Sequence, residues 1–280
     1  MLSSMNLHID YPFTFSFLNT TLHLREKPSS KVAQALKKLI KHRHEKKQTR
    51  ASAPLSTTDT SLFAKVQPLD SFKAKVRVTL GKPQRNGRFD WPLEELINTQ
   101  EAQSRGVNMP PLQGYGYTKG RLGLTHEYFI ITHLLEDHIN GVEWLQKHPE
   151  RVEQFVRDAF ALLGSLTQKE IIHMDFWAGN IMLPPTVDAE LKVIDFENCF
   201  ARPAQHHSET LGFQLGFFYR REIYKLITEA DYDRLVDEYV GQQQNVSSEK
   251  FHAFYQPSKH EHVGRKQRRD VYLSGQLVVG

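Results

Sequence analysis

The sequence predicts an α+β protein of two lobes, strand-containing to about residue 135 and mainly helical beyond it, and three observations carry that expectation. "SLFAKVQ" (61–67) and "HEYFIITHLLE" (126–136) are rich in β-branched and aromatic residues and read as strands. "PERVEQFVRDAFALLGSLTQKE" (149–170) carries one apolar stripe, Val152, Phe155, Val156, Ala159, Phe160, Leu163 and Leu166, over several helical turns. "LKVIDF" (191–196) is a short buried strand, and "SETLGFQLGFFYRREIYKLITEADYDRLVDEYV" (208–240) supplies two helices with a break near Thr228.

Taken in order, Val32, Ala35, Leu36, Leu39 and Ile40 recur at helical spacing beside Lys37, Lys38 and Lys41, so 31–41 reads as an amphipathic helix. "KKQTRASAPLSTTDT" (46–60) is polar and contains Pro54, which reads as a loop. "WPLEELINTQEAQSRGV" (91–107) reads as a helix, with Pro92 in its first turn and Gly106 past its end. The expected domains are an N-terminal lobe, 1–135, with a basic insertion at 31–60, a C-terminal lobe, 136–243, and a basic C-terminal tail, 244–280.

Composition narrows the function classes. The 280 residues suffice for a real core, and 39% hydrophobic with 24% charged is too apolar for a wholly disordered chain. Cys199 is the single cysteine, which excludes an internal disulfide and a multi-cysteine zinc site and fits a reducing compartment. No apolar run is long enough to span a bilayer, and "MLSSMNLHIDYPF" lacks the pattern of a secretion signal, so the expected location is cytoplasmic. The net charge of +4 is concentrated: residues 31–50 hold eight Lys or Arg against Glu45 alone, and "RKQRR" (265–269) adds a second cluster. Such patches suit an anionic glycolipid or membrane surface, or are solvated helix faces; no recognised motif accompanies them, so no nucleic-acid partner is expected.

The chemistry is concentrated in "IIHMDFWAGNIMLPP" (171–185) and "VIDFEN" (193–198). Phosphoryl transfer needs a phosphate held in line with a hydroxyl, its charge neutralised by a metal and the hydroxyl oriented by a carboxylate. A loop written H-x-D-x-x-x-x-N does this compactly, and His173, Asp175 and Asn180 match it. Asp175 would accept the proton, the Asn180 amide oxygen would hold magnesium, His173 would brace the loop, and Asp195 would reach the metal from the other side. The bland alternative makes Asp175 a helix cap, Asn180 part of a Gly-Asn turn and Asp195 a strand end.

Those motifs resemble the protein-kinase-like superfamily, in the branch of aminoglycoside, choline and lipopolysaccharide kinases, and within it the lipopolysaccharide kinase (InaA, heptose and Kdo kinase) family over about residues 60 to 242. The resemblance implies a bilobal protein-kinase-like fold, with ATP and Mg as cofactors. Lys65 would be the lysine on the α- and β-phosphates and Glu95 its helix partner, with Glu94, Lys73 and Lys75 as weaker substitutes. The implied activity is transfer of the γ-phosphate of ATP to a sugar hydroxyl, most naturally in the lipopolysaccharide core at the cytoplasmic face of the inner membrane; the alternatives are a soluble small-molecule kinase of aminoglycoside or choline type and a regulatory pseudokinase.

The chain departs from the kinase pattern in places. There is no Gly before Gly81, so the glycine-rich phosphate loop is missing. Trp177 stands where Ser/Thr protein kinases place a Lys and could stack on a sugar ring or pack in the core. Glu197 replaces a Gly and reads as a surface residue sooner than a metal ligand, while His206 and His207 read as surface residues or lining of an acceptor site.

Overall fold

The computed structural model describes residues 10–45, 51–56, 61–84, 88–186 and 190–278. The chain divides into two compact units, Met1–Gln100 with Pro110–Glu136, and Glu101–Met109 with Asp137–Gly280. The strand-rich first lobe and helical second lobe expected from the sequence are both found.

The first unit is built on an antiparallel sheet of β1 (Phe13–Phe17), β2 (Thr20–Leu24), β3 (Ala51–Ser56), β4 (Ser61–Pro68), β5 (Leu112–Lys119) and β6 (Thr125–His133), in the order β1-β2-β5-β6-β4-β3. The alternation of β4 decides which side chains face which layer. Leu62, Ala64 and Val66 turn to one face and meet Val32, Leu36, Leu39 and Ile40 of α1 (Ser30–Glu45) in a common core. Lys65 and Gln67 therefore turn to the other face, toward α2 (Phe72–Leu80) and the start of α3 (Trp91–Ser104), where Ala74, Val78, Leu93 and Leu96 pack on Leu112, Tyr115, Tyr128 and Ile130.

Two segments differ from the sequence expectation. Residues 51–56, expected in a loop, form the edge strand β3, with Pro54 opposite Phe63; a proline is tolerated there because an edge strand has one side without ladder bonds. Residues 72–80, which hold the weaker substitutes Lys73 and Lys75 and to which the sequence assigns no element, are helical. Ser71 caps the helix by accepting from the Ala74 N–H at 3.1 Å, and Gly81 closes it at φ +60°. The amphipathic helix at 31–41 is present and longer, and its buried stripe makes this part of the basic segment integral to the unit. Arg43 in its last turn is also buried, paired with Glu127 of β6. Lys46, Lys47 and Arg50 lie outside the described residues.

The second unit comprises β7 (Ile139–Asn140), α4 (Gly141–Lys147), α5 (Val152–Gln168), β8 (Ile172–His173), β9 (Ile181–Leu183), β10 (Lys192–Val193), β11 (Cys199–Phe200), α6 (His207–Arg220), α7 (Glu229–Val240), α8 (Ser248–His260) and α9 (Arg265–Ser274). The predicted stripe of α5 is buried in full. Thr228 sits at the predicted break and caps α7, accepting from the Asp231 N–H at 3.1 Å. The segment set apart as a basic tail folds as α8 and α9. Gly212 and Gly216, four residues apart on α6, bring α8 against it so closely that a Cβ on either would lie 2.3 Å from Phe251 O or 2.5 Å from Tyr255 O. Val271 and Tyr272 of α9 join Ile172, Met174, Phe213 and Phe217 in a further cluster. Among the described residues, no helix is long and apolar enough to cross a membrane.

Candidate active site

In the first unit Lys65 pairs with the helix glutamate expected for it. Lys65 Nζ donates to Glu95 Oε1 at 2.6 Å, with the two side chains 13% and 5% exposed, and Gln67 Nε2 donates to the other carboxylate oxygen. Period-two alternation on β4 puts Lys65 and Gln67 on one face, and one turn of α3 presents Glu95 to both. Lys73 and Lys75 lie on α2, which removes the strand setting they would need.

The turn that joins β1 to β2 is short. Phe17 pairs with Thr20, so only Leu18 and Asn19 intervene, and Leu18 takes φ +49°, a conformation that usually favours glycine. This hairpin contains no glycine-rich nest of amides for phosphates.

In the second unit the H-x-D-x-x-x-x-N loop folds around its own polar groups. β8 pairs with β11 through His173↔Cys199 and Ile172↔Phe200, and the Met174 N–H continues the register to Asn198 O at 2.9 Å. The fully buried His173 ring accepts the Asp175 N–H at Nδ1, 3.2 Å, and its Nε2 donates to Ile194 O at 3.1 Å, which assigns the tautomer. Burial pushes the His173 imidazole below its ordinary value, so it is a neutral brace. Asn180, also buried, spends its Nδ2 on Asp175 O at 2.9 Å, and the Ile194 N–H donates to Asn180 O at 3.0 Å. His173, Asp175, Asn180 and the backbone before Asp195 thus form one network.

Asp195 has φ +65°, ψ 70°, left-handed backbone that costs a non-glycine residue of order 1 kcal/mol and is concentrated at functional sites. Its carboxylate and that of Glu197 come within 4.8 Å of each other. Glu197, expected at the surface, is 4% exposed and bound by Arg265, because the turn after Asp195 directs it inward beneath α9. Trp177 is half-buried with the Arg221 guanidinium 4.1 Å over its ring. His206 and His207 are half-buried at the start of α6 and belong to no metal-holding group among the described residues.

Sequence reasoning missed the cations that meet this loop. Arg268 Nη1 donates to Asp175 Oδ1 at 2.5 Å, and Arg269 Nε donates to Asn198 Oδ1 at 3.0 Å. The signal was present in "RKQRRDVYL": Arg265, Arg268, Arg269 and Tyr272 fall at i, i+3, i+4 and i+7, one face of a helix.

Among curated proteins, none matches the chain. A solved structure described as WaaP in complex with acyl carrier protein is similar over 71% of this chain and 77% of its own, at 16% identity and a TM-score of 0.48. A Stt7 homolog from Micromonas algae, soaked with ATP, is similar over 55% of this chain and 50% of its own, at 12% identity and a TM-score of 0.37. The profile of the lipopolysaccharide kinase (Kdo/WaaP) family matches residues 64–239, a span that runs from the Lys65 strand through the H-x-D-x-x-x-x-N loop and the Asp195 turn to the end of α7. A match over more than half of the chain, enclosing every one of those elements, makes the protein a member of the lipopolysaccharide kinase (Kdo/WaaP) family, and so a phosphotransferase acting on a sugar hydroxyl.

Proposed function

We propose that the protein transfers the γ-phosphate of ATP, with magnesium, to a sugar hydroxyl of the lipopolysaccharide core. The observation that supports this most directly is the closed network of His173, Asp175 and Asn180, which satisfies the backbone of Asp175 on both sides and leaves its side chain to project from a fixed frame. A carboxylate so held is pre-oriented for an acceptor hydroxyl. In this reading Asp175 accepts the hydroxyl proton as the oxygen attacks phosphorus, and His173 and Asn180 hold it in place. Lys65, kept extended by Glu95, binds the α- and β-phosphates.

The residues present fit magnesium. With Nδ2 engaged on Asp175 O, Asn180 has its amide oxygen as the ligand atom, and Asp195 adds a carboxylate; oxygen donors of this kind suit a hard cation. When bound, the metal supplies charge neutralisation at the phosphates. Location follows from charge. Lys31, Lys37, Lys38 and Lys41 are exposed on α1, opposite its buried stripe, which suits peripheral association with the anionic cytoplasmic face of the inner membrane.

The test offers radiolabelled Mg-ATP and, separately, a truncated lipopolysaccharide core, aminoglycosides, choline and a generic protein. Label is expected in the glycolipid and absent with Asp175→Ala, while that variant still binds Mg-ATP. Label confined to a soluble amine-bearing acceptor, or tight ATP binding with no transfer to any acceptor, overturns the proposal.

A further inference from the structure

The helix that meets the catalytic loop, α9, lies outside the 64–239 span matched by the family. It is anchored by its apolar residues and by one arginine. Tyr272 stacks on Phe200 at 3.8 Å between ring centroids, Val271 is fully buried, and Arg269 ties the helix to Asn198. With that anchorage the same helical face delivers Arg265 to Glu197 and Arg268 to Asp175.

Arg268 is poorly satisfied where it sits. Its side chain is 11% exposed and lies over the Phe217 ring at 4.9 Å. Of its five donors, Nη1 is spent on Asp175, and Nε is buried without a hydrogen-bond partner. Burial pushes its guanidinium below the ordinary value; Arg221 and Arg265 push the same way, and Asp175 alone opposes them. Arg265 lies one turn before Arg268 on the same helix, and the Arg221 and Arg268 guanidiniums lie over one ring, Phe217, at 5.7 and 4.9 Å; an arginine fork so accompanied suits planar or tetrahedral oxyanions. Meanwhile the Arg268 guanidinium occupies the Asp175 Oδ1 side of the carboxylate that an acceptor hydroxyl would approach. Both defects are relieved together if an anion takes the guanidinium.

We propose that Arg268, Arg265 and Arg221 form an oxyanion subsite that receives a phosphate or carboxylate carried by the acceptor, and that filling it draws Arg268 off Asp175. The inference rests on the assignment of Asp175 as the group that meets the acceptor hydroxyl. It makes the base selective: an acceptor with an acid group near the reacting hydroxyl draws the guanidinium away from Asp175 Oδ1, and a neutral one leaves the two in competition for it.

Two measurements on the full chain test this. Inorganic phosphate and, separately, glucuronate are titrated into the wild type, Arg268→Gln, Arg268→Lys and Lys65→Met, with binding read by thermal shift and folding checked by circular dichroism. At least one anion is expected to bind the wild type and Lys65→Met alike, at least tenfold more weakly Arg268→Gln, and with intermediate affinity Arg268→Lys, which keeps the charge without the fork. Which anion binds distinguishes phosphate from carboxylate. No saturable binding to wild type, equal binding to Arg268→Gln, or loss in Lys65→Met alone overturns the subsite. In the second measurement, Arg268→Gln is expected to raise the KM for an acid-bearing acceptor tenfold or more while the KM for Mg-ATP stays within twofold, and to erase discrimination against the neutral counterpart. Discrimination unchanged in Arg268→Gln overturns the subsite. Wild type that transfers to no acceptor overturns the kinase assignment instead, and the anion titration still decides the subsite.

Discussion

Replacing Lys65 by Met separates the structural worth of its ion pair from its role toward ATP. At 2.6 Å and an effective dielectric constant of about 20, the attraction to Glu95 is about 6 kcal/mol gross. Desolvation of two nearly buried groups offsets most of it, and the relevant quantity is what the substitution leaves behind: a Glu95 carboxylate, 5% exposed, with its lysine gone. Breaking one side of a buried pair costs about 3–5 kcal/mol; Gln67 still donates to Glu95, so the expected loss lies near the lower end, about 3 kcal/mol. Lys65→Met with Glu95→Leu removes both charges and should recover most of it. Urea unfolding of the singles and the double gives the coupling directly. Both Lys65 variants should lose ATP affinity by orders of magnitude, whereas Lys73→Met and Lys75→Met should keep it. An equal loss in all three lysine variants, or a Lys65→Met protein with wild-type ATP affinity, would refute the assignment of β4 as the nucleotide strand.

Other expectations follow from the same geometry. Asp195→Asn should leave the apo melting temperature nearly unchanged, since Asn also tolerates left-handed backbone, and should lose the stabilisation given by Mg-ATP; wild-type stabilisation would make Asp195 structural. His173 is held neutral by burial, so its folded pKa is depressed: the unfolded chain takes up a proton below about pH 6.5 and the folded chain does not. Stability should therefore fall as pH drops through that value, by up to about 1.4 kcal/mol per pH unit from this group, and His173→Gln should remove that slope in urea titrations at stepped pH. Gly216→Ala should cost about 1–3 kcal/mol or more, because the added carbon meets backbone of α8 at 2.5 Å; a neutral result by thermal melt would show that α8 can move away. Changing Lys31, Lys37, Lys38 and Lys41 to Gln should release the protein from anionic vesicles in a flotation assay while ATP kinetics hold steady; unchanged flotation would remove α1 from any membrane role.

The candidate site was legible wherever its logic is local in sequence. His173, Asp175 and Asn180 sit in one loop whose hydrogen bonds close on themselves, so residue types and spacing suffice. Lys65 and Glu95 came only through the family resemblance, since a lysine at a strand end is ordinarily a solvated charge and nothing local in sequence pairs it with a helix thirty residues on. The short-range competition between caps and β-branched residues hid α2: Val76, Val78 and Thr79 favour a strand, and Ser71 and Gly81 decided otherwise. Pro54 hid β3, since a proline argues against a strand until the strand is known to be at an edge. Glu197 looked exposed because nothing near it in sequence shows that Arg265 covers it.

What sequence could least show is the cation at Asp175. The H-x-D-x-x-x-x-N loop carries Trp177 where a lysine could have stood, and read alone it has no positive partner for Asp175. The partner arrives from ninety-three residues away, on a helix whose docking depends on Val271, Tyr272 and Arg269 finding the loop and α6. That route has a physical consequence. A cation inside the loop would be fixed with respect to Asp175, whereas one on a separate helix moves if the helix or its side chain moves, at the cost of one hydrogen bond and a guanidinium already short of partners. Charge placed this way can respond to what enters the site, which is why the arginines of α9 are better understood through the acceptor than through the fold.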